Sequence, residues 1–342
     1  MKKILITGGT TFVSKYVAQY FSSYRKLRLL YDKSLRQDAH SREDVVCRKP
    51  PRSARECARA HSLFQHKYEV YVLNRNTKPQ IPGVTLIEGD RHALGDQLKA
   101  MHFDVVADIT AYNSDDIIDL YEALGSFDQY IMISSSAVYP EDGVQPFQEN
   151  STRAENKFWG KYGTDKMEAE NCLLERVEDA YILRPPYLYG PMDNVYREAF
   201  IFDCAKADRK FYLPKDGKMK LQFFHVRDLC RLMEMLIETR PAEHIFNVGN
   251  AETVSIKDWV TMCYACFDKT PEFVNVYEGI EQRNYFCFSD YEYCLDVKKQ
   301  QEIYADTIPL QEGLKECAKW YLTNEAEVNK KPYLKYIDEN LA

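Results

Sequence analysis

The sequence has no apolar run approaching the roughly 18 residues that a membrane span needs. Its opening stretch, MKKILITGG, is too brief for the core of a secretory signal. The chain therefore reads as cytoplasmic, with no membrane partner. An excess of positive charge is also missing: 45 Lys and Arg stand against 52 Asp and Glu, a formal net charge of −7. That balance opposes a broad phosphate-attracting surface and places nucleic acid second among partners. Cys263 and Cys266 form a CxxC with no second ligand pair, and within IKDWVTMCYACF their spacing fits one face of an apolar helix, so no metal is expected. The ten cysteines follow no framework, as reduced thiols do. Glycine and proline are sparse, 14 of each in 342 residues, which excludes collagen-like and low-complexity chains. At this length a single core stops growing, so two lobes sharing one cleft are expected.

What is present begins at the N terminus. The apolar run to Thr7 ends in Gly8-Gly9-Thr10-Thr11, and Phe12, Val13, Tyr16, Val17 and Tyr20 then recur at helical spacing. A strand, a glycine turn and a helix in that order aim free N–H groups and the positive helix end at a pyrophosphate. Of the three glycine places of a dinucleotide fingerprint, Gly8 fills the first, while Thr11 and Ser14 occupy the others. An acidic residue about 20 positions past the first glycine is the usual ribose ligand. The next strand-like run, Tyr68 to Leu73, lies too far along and ends in Asn74-Arg75.

Residues 22–66 explain the distance. They contain no glycine and eleven Lys and Arg against five Asp and Glu. Without these 45 residues, Asn74 would stand 21 positions beyond Gly8, the ordinary spacing. The segment reads as a basic insertion between helix and strand, on the edge of the sheet away from the cofactor. Arg75 suits a 2′-phosphate, so NADP is as plausible as NAD.

Further short buried runs follow, each ending in small or polar residues: 84–87 before Gly89-Asp90, 104–108 before Thr110-Ala111-Tyr112, and 130–133 before Ser134-Ser135-Ser136-Ala137-Val138-Tyr139. With helical stretches between them they predict an α/β fold of the Rossmann type, a doubly wound parallel sheet whose ligand chemistry sits at the strand ends. Lys161-Tyr162-Gly163-Thr164-Asp165-Lys166 then sets Tyr162 and Lys166 one helical turn apart. An ammonium near a phenol favours the phenolate, so Tyr162 is expected to have a lowered pKa and to move a proton while a nicotinamide exchanges hydride.

The glycine turn, SSSAVY, and YGTDK with Tyr162 27 residues after Ser135 together resemble the NAD-dependent epimerase/dehydratase family of extended and atypical short-chain dehydrogenase/reductases. The resemblance continues through Leu183-Arg184-Pro185-Pro186-Tyr187, Phe224-His225-Val226-Arg227-Asp228 and Phe246-Asn247-Val248-Gly249. It implies Tyr162 as general acid/base, Lys166 on the nicotinamide ribose and Ser135 on the reacting substrate oxygen. It also implies Gly8, Thr11, Phe12, Asn74, Arg75, Asp90 and Ala111 along the dinucleotide, with Pro185 near the nicotinamide. His225 is expected to organise the hinge between the lobes.

The chain also departs from that pattern. Leu221 stands where nucleotide-sugar epimerases carry a diphosphate-binding arginine, and the later arginine-containing segment is replaced by Asn284–Asp290. GGTTF, Asn74-Arg75 and FDVVADITAY bring the chain closer to an atypical branch that includes chloroplast stem-loop RNA-binding proteins. The expected organisation is a dinucleotide lobe over 1–190, to which segments around 220–255 return, and a smaller substrate lobe over 191–330. Tyr187, Tyr196 and Arg197 are the substrate-side candidates. The expected function is an NAD(P)-dependent oxidoreductase of epimerase/dehydratase type acting on a sugar or nucleotide-sugar-like hydroxyl or keto substrate. The alternative is a cofactor-binding member that binds RNA. A homodimer through the Tyr162 helix and the one before it is compatible with the sequence.

Overall fold

A computed structural model describes residues 1–22, 67–277 and 279–342, so the expected insertion, apart from Ser22, lies outside the described residues. The apolar runs become strands β1 (Lys2–Thr7), β2 (Tyr68–Asn74), β3 (Thr85–Glu88), β4 (Val105–Asp108), β5 (Tyr130–Ile133) and β6 (Tyr181–Arg184). After β7 (Tyr187–Tyr189), β8 (Phe211–Pro214) and β9 (Phe223–His225), β10 (Ile245–Asn247) completes one parallel sheet in the order β10-β6-β5-β4-β1-β2-β3. This is the doubly wound order, with its topological switch between β1 and β4. All four residues of β4, β5 and β6 are buried, as strands covered on both faces must be.

The helices are α1 (Phe12–Ser22), α2 (Ser114–Ala123), α3 (Lys161–Leu174), α4 (Glu198–Lys206), α5 (Val226–Thr239), α6 (Ile256–Ala265), α7 (Lys298–Ile303), α8 (Leu310–Asn324) and α9 (Tyr333–Asn340). Alternation along β1 decides which layer each covers. Ile4 and Ile6 pack with Val17 and Phe21 of α1 and with Leu229, Met233 and Leu236 of α5. Leu5 packs on the other face with Ile117 and Leu120 of α2 and Ala169 and Leu173 of α3. A second core, rich in aromatics, joins α4, α6, α8 and α9 through Phe200, Trp259, Leu314, Tyr321 and Tyr333. There β11 (Phe273–Val276) pairs with β8. Tyr196 belongs to this core: it is 3% exposed, stacks on Tyr333, and its hydroxyl donates to Asp203 Oδ2 at 2.7 Å. It is therefore not a substrate contact.

Helix α1 ends and β2 begins at the N-terminal edge of the sheet, where the Lys2 amide donates to the Lys67 carbonyl. Ser22 and Lys67, the described residues on either side, thus both stand at the edge opposite the strand C-termini.

A buried polar network binds the motif residues to one another. Glu170, fully buried on α3, accepts from Arg184 Nε at 2.9 Å and Nη2 at 2.6 Å, from Arg153 at 2.8 Å and from Ser134 at 2.5 Å. Arg184 also donates to the Tyr139 hydroxyl, which donates to Asn247 Oδ1 on β10. Much of the resemblance in SSSAVY, LRPP and FNVG is thus structural: those residues tie β5, β6, β10 and α3 together. His225 likewise caps α5, its Nδ1 accepting the Arg227 amide, and burial holds it neutral beside Glu316.

Candidate functional site

The C-terminal ends of β1, β4, β5 and β6 open onto a cleft of about 580 Å³, lined among others by Thr11, Phe12, Ser135, Tyr162, Lys166, Pro185, Tyr187 and Arg197. Six of the eleven residues expected at the site for catalysis or cofactor binding, Phe12 among them, therefore share one wall system, together with two of the three substrate-side candidates.

The glycine turn is built by contacts from two strands. Gly8 adopts φ +89°, where a Cβ would lie 2.7 Å from the Ser14 hydroxyl, and its amide donates to the Leu73 carbonyl. Asn74 Nδ2 donates to the Gly8 carbonyl at 2.7 Å, while its Oδ1 accepts the Asn76 amide. Gly8 and Asn74 therefore shape the turn, and neither lines the cleft. Among the described residues the first bond inside α1 is donated by Lys15 to Thr11, so the Phe12, Val13 and Ser14 amides precede the hydrogen-bonded ladder at the cleft wall. Such a donor set fits a pyrophosphate.

Arg75 is exposed, 3.9 Å from Asp90, and Asp90 caps a short 3₁₀ turn by accepting the His92 amide. Both stand at the β2 and β3 edge beyond the cleft wall. Arg91, which sequence reasoning passed over, pairs with the buried Asp108 carboxylate at 2.7 Å. Thr7 and Tyr130 donate to the same carboxylate, and together they hold its pKa down against burial.

Helix α3 starts at Gly160, at φ +49°, and buries the stripe Gly163, Lys166, Ala169, Glu170 and Leu173. Gly163 lies so close to the loop after β5 that a Cβ there would meet the Ala137 carbonyl at 2.3 Å. That approach brings Tyr162 beside Ser135. Gly163→Ala should consequently cost about 1–3 kcal/mol of stability by overpacking, read as a lowered urea midpoint. An unchanged midpoint would show that helix and loop are not in this contact.

The electrostatics correct one expectation. Lys166 is 2% exposed, and its ammonium donates to the Ala111 carbonyl at 2.6 Å and the Ile133 carbonyl at 2.8 Å, with the Tyr112 ring 5.0 Å away. Burial lowers its pKa to about 8, against the pull of Asp108, Glu170 and Asp116. Among the described residues no hydrogen bond joins it to Tyr162. The pKa of Tyr162 is raised, not lowered: enclosure by the cleft walls outweighs the opposing effect of the Ser135 hydroxyl. Ala111 contributes its carbonyl to Lys166, while its side chain is fully buried.

Sequence reasoning missed three wall residues. Tyr112 is 52% exposed and directly follows Ala111, so the strand-end rule could have found it. Trp159 packs against both Tyr162 and Tyr187, and no spacing signalled it. Arg283 also lines the cleft, hydrogen-bonded to the Phe286 and Cys287 carbonyls. A guanidinium thus stands in the region where the family's arginine-containing segment is missing. Leu221 is fully buried and supplies nothing to the cleft.

A family model described as the NAD dependent epimerase/dehydratase family matches residues 57–249. The chain belongs to that family. The match omits the glycine turn and includes the Ser135, Tyr162 and Lys166 positions. A chloroplast stem-loop binding protein of 41 kDa from Arabidopsis thaliana is 25% identical over 77% of this chain, and the alignment spans 62% of that relative's length. A probable GDP-L-fucose synthase from Oryza sativa is 28% identical over 63% of this chain and 68% of its own. A dTDP-glucose 4,6-dehydratase from Bacillus anthracis, solved in complex with NAD, superposes with a TM-score of 0.65 at 16% identity, covering 96% of this chain and 99% of its own. A UDP-N-acetylglucosamine 4-epimerase from Methanobrevibacter ruminantium gives 0.68 at 15%, covering 94% and 98%. At these identities the structures establish the Rossmann-type fold. No helix among the described residues is long and apolar enough to cross a membrane.

Proposed function

We propose that the cleft binds NAD or NADP and carries out oxidation or reduction at a hydroxyl or keto carbon of a sugar or nucleotide-sugar-like substrate. The observation that carries this reading is the convergence of Ser135, Tyr162 and Lys166 on one cleft with the amides of the first turn of α1. When bound, the nicotinamide supplies hydride exchange. The first turn of α1 would hold the pyrophosphate, Arg75 with Asp90 the adenosine end, and Lys166 the nicotinamide ribose. Ser135 would hold the substrate oxygen.

Tyr162 moves the proton. Its raised pKa keeps the phenol protonated at rest, which sets it to donate to a keto oxygen; the reverse reaction needs the phenolate. Tyr187, Arg197 and Arg283 face the substrate half of the cleft. The two guanidiniums suit an anionic group such as a diphosphate. We assign the dinucleotide lobe to 1–190 with the return of 220–255, and the substrate lobe mainly to 191–330.

The test is titration of NADH and NADPH with Trp159 as reporter, since it stands beside Tyr162. Saturable fluorescence quenching by at least one of them is expected, and its loss in Trp159→Phe would locate the binding. No saturable change with either would overturn the reading. The Arabidopsis relative's stem-loop binding motivates one alternative, RNA binding by the cofactor-loaded chain. RNA retention at about 150 mM salt separates the two readings, because weak ionic association collapses there.

A further inference from the structure

Behind the substrate side of the cleft, two carboxyl groups meet one guanidinium. Arg197 Nη2 donates to Asp193 Oδ2 and to the Leu188 carbonyl, both at 2.6 Å, and Asp193 Oδ1 accepts the Val195 amide at 2.9 Å. Glu198, the first residue of α4, is 3% exposed, and among the described residues its Oε1 has no donor. Its carboxyl nevertheless lies within hydrogen-bonding reach of Asp193. Two carboxylates in contact away from water do not both hold a full charge, and one proton between them satisfies the orphaned oxygen. Arg197 meanwhile lines the cleft with its guanidinium 5.7 Å from the Tyr187 ring, and its Nε is buried without an acceptor among the described residues.

We propose that Glu198 is a positioning residue for an anionic substrate group: by sharing one proton with Asp193 it keeps one negative charge against Arg197, leaving the unmatched guanidinium donors for a phosphate or carboxylate in the cleft. This rests on the substrate reading given above. Once the proton leaves, two carboxylates outweigh one guanidinium, and the trio repels the anion. Burial is the chief cause that raises Glu198, to about 7; Arg197 opposes it and Asp193 adds to it. The other titratable groups acting with Glu198 are the Tyr189 phenol of β7 and the thiols of Cys263 on α6, Cys287 and Cys317 on α8. Burial pushes all four upward, so they stay neutral from pH 5 to 8.

The experiment measures UDP-glucose binding by calorimetry at pH 6 and pH 8, because its diphosphate charge is constant in that range, with NADH binding as control. Wild type should bind UDP-glucose about tenfold more weakly at pH 8, in keeping with one charge gained near the anion. Glu198→Gln should bind within twofold at both values. Equal wild-type affinity at both pH values, or loss confined to pH 8 in the variant as well, overturns the proposal and leaves the cleft reading standing. A ligand-free measurement decides the proton independently. An acid raised in the folded state binds more protons than in the unfolded chain between about 4.5 and 7. Wild-type stability therefore falls as pH rises through that window. The melting temperature of Glu198→Gln should gain about 2 °C or more on wild type between pH 5 and 8. A constant difference refutes the shared proton even if neither UDP-glucose nor NADH binds, an outcome that would separately overturn the cleft reading.

Discussion

Tyr162→Phe should lower turnover by at least about 10²-fold, the scale of general acid/base catalysis, while NADH affinity stays within about twofold of wild type. The phenol edge is what the substitution removes: the ring keeps its packing against Trp159 and Tyr112, and only the hydroxyl beside Ser135 is lost. The measurement is steady-state reduction of 4-keto nucleotide sugars with NADH or NADPH, paired with the Trp159 quenching titration. Retained turnover would remove Tyr162 from the chemistry. Parallel loss of cofactor binding would instead assign it to the nicotinamide pocket.

Arg184→Met should destabilise the chain by about 3–5 kcal/mol, because it leaves a buried carboxylate with too little compensation. Glu170 is fully buried and accepts two bonds from Arg184, so Arg153 and Ser134 would have to carry the charge alone. The Tyr139 hydroxyl and the Glu149 carbonyl would lose a donor as well. Urea unfolding followed by tryptophan fluorescence gives the difference. The double variant Arg184→Met/Glu170→Leu should recover much of it, since removing both partners leaves no orphaned charge. A loss below about 1 kcal/mol in the single variant would mean that the network is not the anchor of β6 to α3.

The legible parts of the molecule share one property: they are local. The alternation of Ile4, Leu5 and Ile6, the glycine turn, and the one-turn spacing of Tyr162 and Lys166 each lie within a few residues, where backbone geometry fixes what faces what. The sheet order follows from such runs with short crossovers. Asn74 ends β2 where the spacing puts it, and its side chain holds the Gly8 carbonyl, 66 residues away in the chain. Tyr196, a substrate-side candidate from its place after Gly190, is held instead by Tyr333 and Asp203. In both cases the partner comes from a distant segment that no spacing rule reaches.

The amino-acid order alone therefore determined the doubly wound α/β architecture, the strand C-termini as the place of the cleft, and the meeting of Ser135, Tyr162 and Lys166 on its wall. Tertiary structure decided the charge states. Two backbone carbonyls from separate strands and loops hold the Lys166 ammonium, so it does not acidify Tyr162. Arg283 reaches the cleft from a segment lacking the expected motif, and Glu198 is buried beside the Asp193–Arg197 pair behind it. Desolvation and long-range pairing set those states, and both exist only once remote segments have packed.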